Sequence, residues 1–215
     1  MAVTYYFAPA WFITFSIVFE ALFALILIAI SLTSYRFYKV SRQEKLRLFS
    51  FAFGSIALYY IIKSLINANL IASESIPKAK LLDLGQLSLV AHIFFMLAGL
   101  MILIYLTLNV KNNRLFTLLT LIVFLTAFMS RNSVVIFHVI SSVLLGFISL
   151  HYYESYKKKP HQGNLLVFIA FLLLLLAHLD FIFSISNPIF FVIGHFIEFT
   201  SYLLFLINLI IVVKK

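Results

Sequence analysis

The chain has 215 residues, of which 64% are hydrophobic and only 11% are charged, and its formal net charge is +9. Polar surface could not cover this much Leu, Ile and Phe in water, so a soluble domain is excluded and the bilayer is the expected solvent. The basic residues lie between apolar runs rather than on a face with exposed aromatics, which excludes nucleic-acid binding, and the absence of Cys excludes disulfides, zinc–thiolate sites and iron–sulfur clusters.

Seven apolar runs follow one another along the chain, each near the roughly 20 residues that cross a bilayer as a helix. All are predicted to be helices, because an open strand cannot satisfy its backbone in lipid. The first run is too long for a signal peptide and is expected to remain as an anchor. The expected fold is one all-α transmembrane domain, a seven-helix bundle of a multi-pass cell-membrane protein. The predicted spans are roughly 10–34, 47–71, 85–109, 114–130, 133–154, 164–184 and 188–213.

The distribution of Lys and Arg predicts the orientation of this bundle and favours a full span, rather than a re-entrant piece, for the short fourth run. Alternate connections, together with the C-terminal end, contain twelve basic residues, and the remaining connections contain three. By the positive-inside rule the N-terminus is outside and the C-terminus is cytoplasmic. The twelve are Arg36, Lys39, Arg42, Lys45, Arg47, Lys111, Arg114, Lys157, Lys158, Lys159, Lys214 and Lys215, and the three are Lys78, Lys80 and Arg131.

An internal repeat is indicated by matched polar positions. A shift of 118 residues aligns the fifth segment with the first and the sixth with the second, and a shift of 103 aligns the seventh with the third. This pattern predicts two parallel three-helix units joined by the fourth segment, a 3+1+3 plan. The alternative is that any two apolar helices align fairly well. The matched pairs are Glu20 with His138, Tyr60 with His178, and His92 with His195.

Ionisable residues lie at a similar depth in six of the seven predicted spans, about 8–14 Å below the outer end at 1.5 Å per residue. Such groups are costly in hydrocarbon and by default mark a site. The structural alternative is that each only hydrogen-bonds a neighbouring helix. The residues are Glu20, Lys63, His92, His138, His178, His195 and Glu198, with Asp180 slightly shallower.

The histidines predict a metal or haem site. His195 and Glu198 are three residues apart, and so lie on one helix face. Neutral imidazole is the commonest transition-metal ligand, and a carboxylate completes or orients such a site. We expect His92, His138 or His178 to join them around a transition-metal ion. Alternatively, two opposed histidines hold a b-type haem in a slot lined by Phe side chains.

Lys63 needs a counter-ion in the membrane, and Glu20 on the adjoining helix is predicted to supply it, as an ion pair or within a proton relay. A retinal-type Schiff base is the alternative. A resemblance to seven-helix rhodopsins would require a lysine midway along the last span, which has none there. Asp180 is two residues from His178, so it faces another side of the helix and is expected to cap the outer end.

Glu20 with the following Phe23-Ala24-Leu25, the Tyr- and Lys-rich connection, and the closing Gly194-His195-x-x-Glu198 stretch resemble small archaeal multi-span membrane proteins of unknown function. The resemblance covers most of the chain and implies no activity. The 3+1+3 plan is similar in outline to the small sugar-transporting seven-helix family. That family's Pro-Gln loop signature is missing here, and the first and fifth spans lack internal prolines.

Three functions follow from these residues. The first is a binding protein that holds a transition-metal ion or haem for electron transfer, sensing or delivery, with a separate signalling or redox partner protein. The second is a small-solute or proton-coupled transporter whose His and Glu groups titrate during transport. The third is a metal-dependent membrane hydrolase with Glu198 as base, which the absence of an HExxH-like pair disfavours.

Overall fold

The computed structural model describes residues 9–72, 78–108 and 113–213, and within these ranges it contains seven α-helices, a 3₁₀ turn at Ala10–Phe12 and no strand. The all-α class predicted from the sequence is confirmed. The helices are α1 (Ile13–Ser41), α2 (Glu44–Ala72), α3 (Lys78–Leu108), α4 (Asn113–Met129), α5 (Ser133–Lys158), α6 (Gln162–Phe183) and α7 (Ile189–Val213).

Six of these seven helices are long and apolar enough to cross a membrane, as expected of a multi-pass membrane protein. The exception is α4, whose 17 residues rise about 26 Å. The fourth apolar run therefore forms a helix, and its crossing of the bilayer stays a prediction.

Several helices are longer than the apolar runs that predicted them. α1 continues to Ser41 and α5 to Lys158, beyond the predicted ends at residues 34 and 154, and α3 begins at Lys78 rather than at 85. An apolar run marks only the hydrocarbon part of a helix, and good helix formers such as Lys, Arg and Gln continue it into the headgroup region. Three basic residues of the predicted charge pattern lie outside the described ranges: Lys111, Lys214 and Lys215.

The helices pack as a closed ring of six in the described part of the chain. α1 contacts α2, α2 contacts α3, α3 contacts α5, α5 contacts α6, α6 contacts α7, and α7 returns to α1. α4 lies outside this ring against α3 and α5, and Ala127 is its one buried residue. The ring thus consists of a first group, α1–α3, and a second group, α5–α7, which meet where α3 contacts α5 and where α7 contacts α1.

An apolar core fills the half of the ring nearer the α1–α2 and α5–α6 connections. Its fully buried members include Leu27 of α1, Phe53 of α2, Leu145 of α5 and Phe171 of α6. The rings of Phe171 and Phe205 meet there with centroids 4.7 Å apart. The buried ionisable residues lie in the other half of the ring, toward the ends at which α1 and α7 begin.

Serine hydroxyls join the helices of the first group. Ser31 and Ser50 each donate to the other's backbone carbonyl, at 2.9 and 2.8 Å, and so connect α1 with α2. Ser55 of α2 donates to the carbonyl of Phe95 in α3 at 2.7 Å. These bonds satisfy hydroxyls in a part of the protein where lipid would offer no partner.

Candidate functional site

The polar half of the ring contains a cavity of about 20 Å³ between the first and second groups. This is room for about one water molecule. α2 and α3 form one wall and α5, α6 and α7 form the other, so the cavity lies across the boundary between the groups. Its lining is Tyr59, Tyr60, Lys63, His92 and Met96 on one side, and Phe137, His138, His178, Phe181, Phe191, His195 and Glu198 on the other.

Aromatic rings cover the end of the cavity nearer the start of α1 and α7. Phe12 and Phe191 are buried in a small cluster separate from the main core. Their ring centroids lie 5.5 and 4.4 Å from that of His195. Phe181 lies 5.2 Å from His195 and 5.3 Å from His138 by the same measure. The Phe181 ring therefore packs against both of these imidazoles.

Glu20 and Lys63 form a buried ion pair at the edge of the cavity. The Lys63 Nζ lies 3.0 Å from Glu20 Oε1, and the two side chains are 8% and 1% exposed. The Asn67 amide donates to both Glu20 oxygens, at 3.0 and 3.3 Å. The Lys63 ammonium also lies 5.6 Å from the centre of the Tyr59 ring. Glu20 thus lies within bonding distance of two donors in α2, the Lys63 ammonium and the Asn67 amide.

Glu198 lies among tyrosine hydroxyls. The Tyr60 hydroxyl of α2 donates a short hydrogen bond to Glu198 Oε1. The Tyr202 hydroxyl lies 3.4 Å from the same oxygen and 3.0 Å from the Tyr60 hydroxyl. Glu198 is 4% exposed and forms no ion pair among the described residues. The tyrosines supply hydrogen bonds but no positive charge.

His138 and His178 bond to each other across the α5–α6 contact. Their Nδ1 atoms are 3.0 Å apart, which requires that one nitrogen donate a hydrogen and the other accept it. The remaining nitrogen of His178, Nε2, is buried and has no hydrogen-bond partner within the described residues. The pair therefore has one unused ring nitrogen beside the cavity that His178 lines.

The other two buried histidines are held separately. His195 Nδ1 lies 2.9 Å from the Phe191 carbonyl, so it donates there, and Nε2 is left as an acceptor. The ring of His92 packs 4.2 Å from the ring of Tyr59 and 6.1 Å from that of His138. Each imidazole thus has a different environment around one cavity.

Most of the predicted site residues are brought together. Lys63, the four buried histidines and Glu198 line one cavity, and Glu20 pairs with Lys63 beside it. Asp180 does not join them: it is partly exposed and absent from the lining. At the end of α6 its backbone carbonyl, rather than its carboxylate, accepts the Ser184 N–H at 2.9 Å.

Three further residues belong to the site and were not predicted from the sequence: Tyr60, Tyr202 and Asn67. A signal was available, because a phenol or an amide deep in an apolar run needs a hydrogen-bond partner that lipid cannot supply. Tyr60 and Tyr202 both lie well inside their helices, away from the interfacial positions where tyrosine is common.

The residues present do not fit a metal ion or a haem well. Within the described residues, no group of three or more His, Asp or Glu side chains is arranged to hold a metal ion. The Nδ1 atoms of His138 and His178 bond to each other, and His195 Nδ1 bonds to the Phe191 carbonyl, so these nitrogens are already occupied. A cavity of about 20 Å³ is also far smaller than a porphyrin. Metal and haem binding therefore receive no support from this geometry and stay predictions, as does the resemblance to archaeal proteins.

The arrangement combines one buried ion pair, one unpaired carboxyl and four imidazoles around a space the size of a water molecule. Groups of this kind exchange protons and hydrogen bonds with a small ligand. Comparisons with protein-family models, characterised proteins and solved structures find no match for this chain.

Proposed function

We propose that the protein is a proton-coupled membrane carrier of small solutes, in which the cavity between the first and second groups binds one proton between Glu198 and the neighbouring imidazoles. The observation that carries this proposal is an excess of buried carboxyl groups over buried ammonium groups. The buried acidic side chains of the described residues are Glu20 and Glu198, and the one buried lysine or arginine side chain among them is Lys63.

A carboxylate without a matching positive charge is expensive inside a bilayer, so the cluster must take up a cation. Lys63 and Asn67 already compensate Glu20. The unmatched group is Glu198, and a proton on it, or on an imidazole nearby, balances the charge. The titratable groups around it are Tyr60, Tyr59 and Lys63 of α2, Glu20 of α1, His92 of α3, His138 of α5, His178 of α6, and His195 and Tyr202 of α7.

The position of the cavity also supports a carrier. It lies between the first and second groups, and the ring order agrees with the tandem repeat proposed from the sequence. If α1, α2 and α3 correspond to α5, α6 and α7, the α3–α5 contact corresponds to the α7–α1 contact, and both are present. Rocking of one group against the other would open the cavity to one side of the membrane at a time.

The proposal includes seven spans, an outside N-terminus and a cytoplasmic C-terminus. Because the chain has no cysteine, single cysteines report orientation without background. In intact cells an impermeant thiol reagent is expected to label Ser186→Cys in the α6–α7 connection, and to label Ser41→Cys only after lysis; both positions are exposed. The reverse pattern would invert the orientation, and labelling of both in intact cells would contradict the topology.

The function is tested with the purified protein in proteoliposomes that contain a pH-sensitive dye. Ammonium, which is close in size to a water molecule, is added outside as the first probe at several external pH values. Neutral amino acids and sugars follow, and the cavity could admit them only if movement of the two groups enlarges it. We expect at least one of them to move protons across the membrane, with a rate that depends on pH, compared with protein-free vesicles.

Two results would contradict the proposal. One is that none of the probes moves protons at any pH. The other is that elemental analysis finds about one transition-metal ion per chain, which would favour a metal-holding protein.

A further inference from the structure

We propose that the proton leaves the cavity through the second group, along buried hydroxyl and amide groups that take up water and lead to the α5–α6 connection. This inference rests on the proposed function and adds the route to it. We call Ser141, Ser149 and Asn208 the exit path.

The exit path is indicated by polar atoms that lack partners. Four buried side-chain atoms in the described residues have no hydrogen bond: His178 Nε2, Ser141 Oγ, Ser149 Oγ and Asn208 Oδ1. Ser141 and Ser149 are 0% and 4% exposed. Buried polar atoms are almost always paired, and where protein offers no partner an ordered water commonly does so.

All four unpartnered atoms belong to α5, α6 and α7. In the first group, by contrast, Ser31 and Ser50 bond to each other's carbonyls and Ser55 bonds across to α3. Serine can also satisfy itself on its own helix, as Ser142 does by donating to the His138 carbonyl at 2.8 Å. Ser141 and Ser149 use neither option, which leaves their hydroxyls available to water.

The unpartnered atoms stand at successive depths. On α5, Ser141 lies about 4.5 Å and Ser149 about 16.5 Å beyond His138, toward the α5–α6 connection, at 1.5 Å per residue. His138, Ser141 and Ser149 all belong to the buried face of α5. Asn208 completes the series at the far end, because its Oδ1 lies 3.0 Å from the point where a Cβ on Gly163 would be, in the first turn of α6.

Apolar side chains interrupt the exit path, and they explain why protons do not leak through it without coupled solute movement. Leu145 lies between Ser141 and Ser149 on the buried face of α5, and Phe171 and Phe205 pack in the same core. Water must therefore enter between these side chains when the groups move. Each serine hydroxyl accepts a proton from a water on one side and gives its own to a water on the other, so it ends unchanged. The Asn208 amide transfers no proton, and its Oδ1 only accepts a hydrogen bond from the last water.

The test measures how fast the buried carboxyl group changes protonation after a pH jump, by time-resolved infrared difference spectroscopy on the full-length protein. We expect Ser141→Ala and Ser149→Ala each to slow this change on the order of tenfold, the rate equivalent of losing one hydrogen bond in the path. The equilibrium titration midpoint should not move, and Ser149→Thr, which keeps the hydroxyl, should restore the rate.

Ser50→Ala is the matched control, because it removes a buried hydroxyl that has a protein partner. It is expected to leave the rate unchanged. If Ser141→Ala and Ser149→Ala leave the protonation rate unchanged, as this control does, and also raise the melting temperature, the two hydroxyls bind no water and the proposed exit path is wrong. If no buried carboxyl titrates at all in the unmodified protein, the proposed function fails instead.

Discussion

Lys63→Met is expected to lower the free energy of unfolding by about 3–5 kcal/mol, because it removes one partner of a buried ion pair and leaves the other uncompensated. Methionine keeps the unbranched shape of the lysine stem, so little packing is lost. After the substitution, Glu20 and Glu198 would both remain buried with no cation between them. The measurement is unfolding of the purified protein in mixed micelles by titration with a denaturing detergent.

The double variant Glu20→Gln/Lys63→Met is expected to recover most of this loss, because a buried pair can be replaced by uncharged groups at little cost. Arg47→Met is the matched control. It breaks the Arg47–Glu44 pair at 2.6 Å, whose side chains are 44% and 60% exposed, and should cost less than about 1 kcal/mol. Equal free energies of unfolding for Lys63→Met and Arg47→Met would show that the buried pair does not stabilise the fold.

Glu198→Gln is expected to abolish proton-coupled movement of any active probe, by about 100-fold or more, as removal of a positioned proton-transfer group does. The amide oxygen can still accept from Tyr60 and Tyr202, so the fold should be kept. The amide cannot carry the exchangeable proton. Proton flux in proteoliposomes measures the loss of proton-coupled movement. The loss of the titrating carboxyl band in infrared spectra shows that the exchangeable proton is gone.

Glu154→Gln is the control for this variant, because it neutralises an exposed carboxylate on α5 at the other end of the bundle. It should leave proton flux and the carboxyl band unchanged. A carboxyl band that persists in Glu198→Gln would assign the proton to another group. Unchanged proton flux in that variant would remove Glu198 from the mechanism.

Much of the fold follows from the sequence. The length and spacing of the apolar runs predicted seven helices, because a single segment can satisfy all its backbone hydrogen bonds in lipid only as a helix. The layer of ionisable residues was also visible, since depth along a helix is proportional to residue number. Glu20 and Lys63 were expected as partners because each is the obvious opposite charge on a neighbouring helix.

The contacts within that layer were decided by the tertiary structure. A helix that is apolar all round gives no periodic signal of which face meets another helix, since lipid and a neighbouring helix accept the same side chains. The rotation of each helix about its long axis therefore determined which side chains meet. His138 bonds to His178, and Glu198 bonds to Tyr60, which is 138 residues away in sequence. The sequence set the depth of each buried group, and helix packing chose its partner.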